Sequence, residues 1–231
     1  MSNIFSIERL LSIYTDYGYL LLEGLYVTGF VFGLGLIFAA MLSVIVAFAK
    51  LSGNRAVRMA AGVYVTFFRG TPLLVQLFLI YFGLAQFDLF RESFLWVAFS
   101  NPLFCAVLAL ALNEAAYMGE VLRGGLLAIP KGEVEAADVY GFSFIARARR
   151  ILLPQAIRIA WGPLSNEVIY LLKSSALVST ITVLDLMGQA RIISLKTFAP
   201  LETYVLAGAM YYLVAKLLSW SFKLGERKLS Y

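Results

Sequence analysis

The chain has 231 residues, of which 61% are hydrophobic and 14% are charged, and its mean hydropathy is +0.83. Soluble domains carry about a quarter charged residues, so the composition excludes an ordinary soluble domain and indicates a polytopic membrane protein. At about 20 residues per spanning helix the length accommodates about five or six helices. One cysteine and no histidine exclude an internal disulfide and disfavour metal chemistry and histidine-based catalysis.

Five apolar segments follow one another along the chain and are each long enough to cross a bilayer. The sequence therefore predicts an all-α membrane protein with five transmembrane helices, organised as one domain over residues 1–231. The predicted helices cover residues 20–49, 60–84, 101–129, 156–173 and 200–222. The second is interrupted by Arg69-Gly70-Thr71-Pro72, and an amphipathic piece at 184–194, too polar to cross alone, precedes the fifth.

Residues 131–150, between the third and fourth predicted helices, are too charged to span a membrane. Acidic residues lie at the front of this segment and arginines at its back, an order that suits a helix dipole. Gly141 stands where a first short helix can end, and Ser143 is placed to cap a second. The pattern predicts a surface helix-turn-helix.

The basic residues are distributed unevenly between the two predicted sides of the membrane. Twelve lysines and arginines fall on the side of the 131–154 loop and four on the other side. Because basic residues favour the cytoplasmic side, we predict a periplasmic N-terminus and a cytoplasmic C-terminus. The net charge of +5 is then a topology signal, and no nucleic-acid partner is expected.

Residues 135–154 carry the pattern E-A-A-x3-G-x9-I-x-L-P. This pattern resembles the EAA loop of the membrane subunits of ATP-binding-cassette (ABC) importers. Further stretches that resemble the polar amino-acid branch of that family lie at 68–76, 124–132 and 165–169. The chain is similar to the permease subunits of histidine/lysine/arginine and opine importers.

The resemblance implies a type I importer permease fold with a cytoplasmic coupling helix in the bacterial inner membrane. It implies four partners besides membrane lipid: a second permease subunit, identical or homologous, two ATPase subunits and a periplasmic substrate-binding protein. ATP and magnesium belong to the ATPases, and the absence of a G-x-x-x-x-G-K-[ST] motif agrees with a permease that holds no cofactor and performs no catalysis. The implied ATPase-docking residues are Glu135, Ala136, Ala137, Gly141 and Phe142.

At about 1.5 Å per residue, Arg69 lies about 16 Å along its helix from Arg58, Glu114 about 18 Å from Pro102 and Glu167 about 16 Å from Ala156. All three charges therefore fall near the middle of a hydrocarbon core of ~30 Å. Ionisable groups at that depth are costly and face a cavity or one another. We expect Arg69 and Thr71, at the helix break, to contact a substrate carboxylate, and both glutamates to favour a cationic group. The alternative is an internal ion pair between Arg69 and either glutamate.

Two further points stay open from the sequence. Lys173, Ser174 and Ser175 resemble the family's stretch at the outer end of the fourth helix and are candidates for an outer gate. The alternative is that the Lys173 side chain only extends to the membrane–water interface.

A rival function is a secondary transporter that couples Glu114 or Glu167 to an ion gradient. The EAA spacing and the lack of paired inverted halves argue against that rival.

Overall fold

The computed structural model describes residues 6–229, without the side chains of residues 138, 228 and 229, and the secondary structure of this part is helical without strands. Short π or 3-10 turns extend several helices. The α-helices are α1 Ile7–Lys50, α2 Arg55–Gly70, α3 Leu73–Phe78, α4 Asp88–Arg91, α5 Trp96–Phe99, α6 Pro102–Leu127, α7 Lys131–Val139, α8 Phe144–Arg147, α9 Leu153–Ile159, α10 Trp161–Ser174, α11 Leu186–Thr197 and α12 Pro200–Leu229.

Three helices, α1, α6 and α12, are long and apolar enough to cross a membrane unaided. Two bent pairs pass the same test when each pair is counted together: α2 with the segment Leu73–Gln86, and Trp161–Ile181 with α11. The structure thus gives three spans, or up to five if each bent pair is one span. The all-helical membrane fold is confirmed, whereas the exact count of five remains a prediction.

Helix α1 begins at Ile7, earlier than the predicted start at residue 20. Polar residues of its first turns, such as Glu8 and Asp16, lie on its exposed face. Ile13 and Leu21 are buried on the other side. The helix starts earlier than predicted because its first turns are amphipathic. The mean hydropathy of a segment does not detect an amphipathic pattern.

The predicted fourth helix is divided in two. Helix α9 ends at Ile159, and Ala160 leaves helical geometry with φ −91° and ψ 8° before α10 begins at Trp161. Pro163 explains the break, because proline lacks the amide hydrogen that would continue the backbone ladder and is tolerated in the first turn of a new helix.

The chain forms two compact units, each drawn from three segments. Among the described residues, unit one comprises 6–35, 72–110 and 169–220, and unit two comprises 36–71, 111–168 and 221–229. Each unit therefore combines segments that are distant in sequence.

In unit one, α11 packs against α1 and α12. The buried core contains Leu21, Leu186 and Ile193 among other apolar side chains. Gly24 permits the close approach of α1, because a Cβ there would lie 2.8 Å from the Asp185 carbonyl oxygen. The amphipathic segment that is too polar to cross alone is thus buried against two longer helices.

In unit two, α6 is the central helix. Its residues Ala115, Ala116 and Met118 are buried against the second half of α1 and against α2. Side-chain hydrogen bonds tie the end of α2 to α6: the Tyr64 hydroxyl donates to the Leu112 carbonyl at 2.6 Å, and the Asn113 amide donates to the Phe68 carbonyl at 3.1 Å. The position of the break after Gly70 is therefore fixed relative to α6.

Candidate translocation site and coupling segment

The predicted break in the second apolar segment is present. Thr71 and Pro72 have extended backbone conformations between α2 and α3. Pro72 occupies the N-cap position of α3, and the Thr71 hydroxyl donates to the Phe67 carbonyl at 2.8 Å. Helix α3 itself is short, with six residues.

Arg69 lies on the exposed surface of unit two and is oriented by Tyr117. Its guanidinium carbon lies 5.2 Å from the centroid of the Tyr117 ring, a cation–π distance. The Tyr117 hydroxyl donates to the Arg69 carbonyl at 3.4 Å. Arg69 and Tyr117 line an open cavity of about 490 Å³ together with Lys50, Thr66 and Glu120.

Glu114 and Glu167 also belong to unit two but differ in exposure. Glu114 is 1% exposed, and its Oε1 has no hydrogen-bond partner among the described residues. Glu167 is half-buried and lies within electrostatic range of both Glu114 and Arg69. Within the described part of the chain no ion pair of 4.0 Å or less joins Arg69 to either glutamate.

An ionic cluster joins the end of α1 to α6. Lys50 Nζ lies 2.8 Å from Glu120 Oε1, and Arg123 donates to Glu120 Oε2 at 3.0 and 2.9 Å. The three-residue spacing of Glu120 and Arg123 indicates their contact from the sequence. The contribution of Lys50 has no such local signal, because it comes from a distant helix.

The candidate gate residues belong to unit one. Ser175 is fully buried, and its hydroxyl donates to the Leu172 carbonyl at 2.7 Å. Ser174 is half-buried and Lys173 is exposed. Lys173 lines a groove of about 400 Å³ between α10 and α12, together with Tyr211, Tyr212 and Lys216 among others. Sequence reasoning missed Lys216 as a neighbour of Lys173.

The predicted helix-turn-helix between α6 and α9 is confirmed. Helix α7 ends at Val139, and Gly141 follows with φ +73°. That left-handed conformation favours glycine at a helix end. The Ser143 hydroxyl accepts a hydrogen bond from the Ala146 amide at 3.4 Å, so it caps α8 as predicted.

The expected docking residues in this segment are not equally accessible. Glu135 and Ala136 are exposed and Phe142 is half-buried, whereas Ala137 is 3% exposed and packs within the chain. The Gln155 side chain donates to Glu133, which ties α7 to α9.

Large apolar side chains surround the turn between α7 and α8 and were missed by sequence reasoning. They are Val139, Tyr140, Phe144 and Ile145, and each is at least 60% exposed. Their signal in the sequence is the presence of apolar residues in an otherwise charged segment. An apolar surface at the tip of a polar segment is typical of a protein-binding site.

Comparisons with known proteins agree with this arrangement. Residues 19–231 match the family described as binding-protein-dependent transport system inner membrane component. The chain is 44% identical over 194 residues to a nopaline transport system permease protein from Agrobacterium fabrum, with coverage of 84% of this chain and 80% of the relative. It is 40% identical over 193 residues to an arginine ABC transporter permease protein from Haemophilus influenzae, with coverage of 84% and 85%.

A solved structure provides the same assignment at the level of the fold. The crystal structure of an amino acid ABC transporter with histidines matches with a TM-score of 0.81 and 34% sequence identity, covering 95% of this chain and 98% of that chain. The sequence motif, the exposed turn between α7 and α8 and these matches converge on one assignment. The chain belongs to the family of inner-membrane components of binding-protein-dependent transport systems.

Proposed function

We propose that the chain is the permease subunit of an ATP-driven importer for polar amino acids, with cationic amino acids or opines as the substrate class. The observation that carries the proposal is the α7–α8 segment between α6 and α9, in which a short helix is followed by a turn with exposed apolar side chains. The relatives that transport nopaline and arginine support the substrate class. The EAA pattern on this segment supports an ATPase as its partner.

The docking surface comprises the exposed part of the α7–α8 turn. Glu135, Ala136, Gly141 and Phe142 face the ATPase subunit, and Ala137 supports them from within the chain. Gly141 permits the turn, and the apolar residues at its tip supply the buried area that a stable contact requires. ATPase closure is transmitted to α9, because the hydrogen bond between Gln155 and Glu133 connects α7 to α9.

The substrate path passes Arg69, Thr71, Glu114 and Glu167. Arg69 presents a planar array of donors that suits a carboxylate. Glu114 is a buried acid with an unpartnered oxygen, and such a group is costly unless a cation or donor satisfies it. A cationic group of the substrate meets this requirement next to Glu167.

The assembly comprises this chain, a second permease subunit, two ATPase subunits that hold ATP and magnesium, and a periplasmic binding protein. The N-terminus is periplasmic and the C-terminus cytoplasmic in the bacterial inner membrane, as the twelve-to-four distribution of basic residues indicates. Lys173, Ser174 and Ser175 contribute to the outer gate. The chain itself carries out no catalytic step.

Co-purification from native membranes tests the coupling role. An ATPase subunit is expected with the wild-type permease and is expected to be lost from Gly141→Asp, because an aspartate at this turn strains the backbone and adds charge to the contact. Gly53→Asp is the matched control, since Gly53 has no neighbour within 4 Å and lies on the same predicted side. Failure to recover an ATPase with wild type in several detergents would refute the importer proposal and favour uptake driven by an ion gradient.

Uptake of labelled amino acids tests the proposed substrate path. Glu114→Gln and Glu167→Gln are expected to assemble normally and to change selectivity between cationic and neutral substrates. Loss of folded protein in both variants, with no change of selectivity in the protein that remains, would assign the two glutamates a structural role instead.

A further inference from the structure

Glu114 is a carboxyl group that is buried in unit two without a partner. It belongs to α6 and is 1% exposed, and its Oε1 has no hydrogen-bond partner within the described part of the chain. No ion pair of 4.0 Å or less includes Glu114 in that part. Native proteins satisfy almost all of their buried polar groups, and a lone buried charge is far more costly than a neutral polar group. A carboxylate at this position therefore requires a compensating proton or cation.

The charged residue whose field reaches Glu114 is another acid, Glu167 on α10. Like charges repel, and the repulsion is strong in surroundings of low dielectric constant. Arg69 on α2 acts on Glu167, but no ion pair of 4.0 Å or less joins Arg69 to Glu114. Glu167 is half-buried, so it has better access to water than Glu114, and it has Arg69 to compensate its charge. Of the two acids, Glu167 is therefore the better place for a negative charge.

Ionisable side chains on the neighbouring helices are bound elsewhere. Lys50, at the end of α1, pairs with Glu120, and Arg123 on α6 pairs with the same carboxylate. The Tyr64 hydroxyl on α2 donates to a backbone carbonyl at 2.6 Å, and the Tyr117 hydroxyl on α6 donates to another at 3.4 Å. No neighbour in the described part of the chain therefore neutralises the buried carboxyl.

We infer that Glu114 carries a proton while the substrate site is empty and exchanges this proton for the cationic group of the substrate. The inference rests on the proposed function, because it takes a cationic substrate as the group that displaces the proton. The carboxylic acid loses its proton to water, the carboxylate keeps the electron pair of the O–H bond, and the substrate cation balances the new charge. One positive charge enters as one leaves, so binding leaves no uncompensated charge within the membrane-spanning helices, where such a charge is costly.

Infrared spectroscopy of the purified permease–ATPase complex in lipid nanodiscs, at neutral pH and without substrate, tests the proton directly. A protonated carboxyl has a C=O stretching band at a frequency where neither a carboxylate nor an amide absorbs. Glu114→Gln is expected to remove one such band from the wild-type spectrum, whereas Glu167→Gln is expected to retain it. Buried carboxyls such as Asp185 and Glu202 contribute equally to all three spectra and cancel in the differences. An unchanged band in Glu114→Gln, or its loss in Glu167→Gln, would overturn the inference.

Calorimetry with L-arginine in two buffers of different ionisation enthalpy counts the protons that binding releases. By linkage, wild type should release about one proton per bound arginine and bind arginine about tenfold more weakly for each unit by which the pH is lowered. Glu114→Gln should release no proton and show no such pH dependence.

The proton count on wild type needs no variant, so it decides the exchange even if Glu114→Gln fails to assemble. Arginine binding without proton release would overturn the exchange and leave the importer proposal intact. The importer proposal fails separately, by the absence of a co-purified ATPase.

Discussion

The hydroxyl of Tyr211 lies 3.2 Å from Oδ2 of Asp185, and the carboxylate it contacts is completely buried. The other carboxylate oxygen accepts the Gly188 amide at 2.9 Å and caps α11. Thr28 on α1 accepts the Leu186 amide at 3.0 Å. Three separate helices thus satisfy the polar groups at the start of α11, which is why a segment with so many polar residues can be buried in unit one.

Removal of the Tyr211 hydroxyl should destabilise the permease. Tyr211→Phe takes a donor from a buried carboxylate, and a hydrogen bond to a charged group contributes about 1.5–3 kcal/mol. The melting temperature of the purified complex should fall accordingly. The neighbouring exposed Tyr212 provides the control, and Tyr212→Phe should melt as wild type does. Equal melting temperatures for the two variants would show that the hydrogen bond from Tyr211 to Asp185 does not stabilise the permease.

The packing of α6 on α9 gives a second stability test with an adjacent control. A Cβ at Gly125 would lie 2.6 Å from the Ala156 carbonyl oxygen, whereas at Gly124 it would meet nothing within 4 Å. Gly125→Ala should therefore cost about 1–3 kcal/mol through overpacking. Gly124→Ala should be neutral or stabilise by up to about 1 kcal/mol, because alanine favours a helix. If thermal unfolding showed that Gly124→Ala is the less stable of the two variants, the close approach of α6 to α9 at Gly125 would be contradicted.

The features that the sequence predicted correctly are those with a local physical cause. Pro72 interrupts a helix wherever it falls in an apolar run, and Gly141 followed by Ser143 marks the end of one helix and the cap of the next. The membrane class follows from composition alone. The proline and the glycine–serine signals are each contained within a few neighbouring residues, and composition needs no knowledge of how distant residues meet.

The features that the sequence missed depend on residues far apart in the chain. Lys50 pairs with Glu120 only because α1 and α6 meet, and Lys216 joins Lys173 in one groove only because α10 and α12 are neighbours. The length of α1 was underestimated because mean hydropathy does not detect an amphipathic start. Burial of Ala137 likewise depends on the packing of α7, which the EAA spacing does not specify.

The apolar turn after α7 should carry much of the affinity for the ATPase. Tyr140 is 83% exposed, so Tyr140→Ala should leave stability within about 0.5 kcal/mol of wild type. Loss of a central aromatic contact typically costs about 2 kcal/mol or more of binding. Quantitative co-purification should show at least tenfold less ATPase. Tyr14→Ala, a change of an exposed tyrosine on α1, should retain the ATPase, and equal retention by both variants would argue against this docking surface.

Cysteine labelling can determine the orientation of the chain in the membrane. Cys105 is fully buried, so the background reaction with a membrane-impermeant maleimide should be low. Phe94→Cys should react on intact spheroplasts, because residue 94 lies in the loop predicted to be periplasmic. Val139→Cys, which replaces an equally exposed side chain, should react only after the membrane is opened. The reverse pattern would invert the topology that the basic residues predict.

The stack of Arg69 on Tyr117 should matter for transport through its aromatic face and not through the hydroxyl. Tyr117→Phe keeps the ring and loses the 3.4 Å hydrogen bond to the Arg69 carbonyl, so KM for uptake should change by less than about threefold. Tyr117→Leu removes the cation–π contact, worth about 0.5–2 kcal/mol, and leaves the guanidinium free to rotate. KM should then rise about three- to thirtyfold with normal assembly, because a mobile donor array binds a carboxylate less well. If both variants raise KM equally, the hydroxyl positions Arg69 and the aromatic face does not.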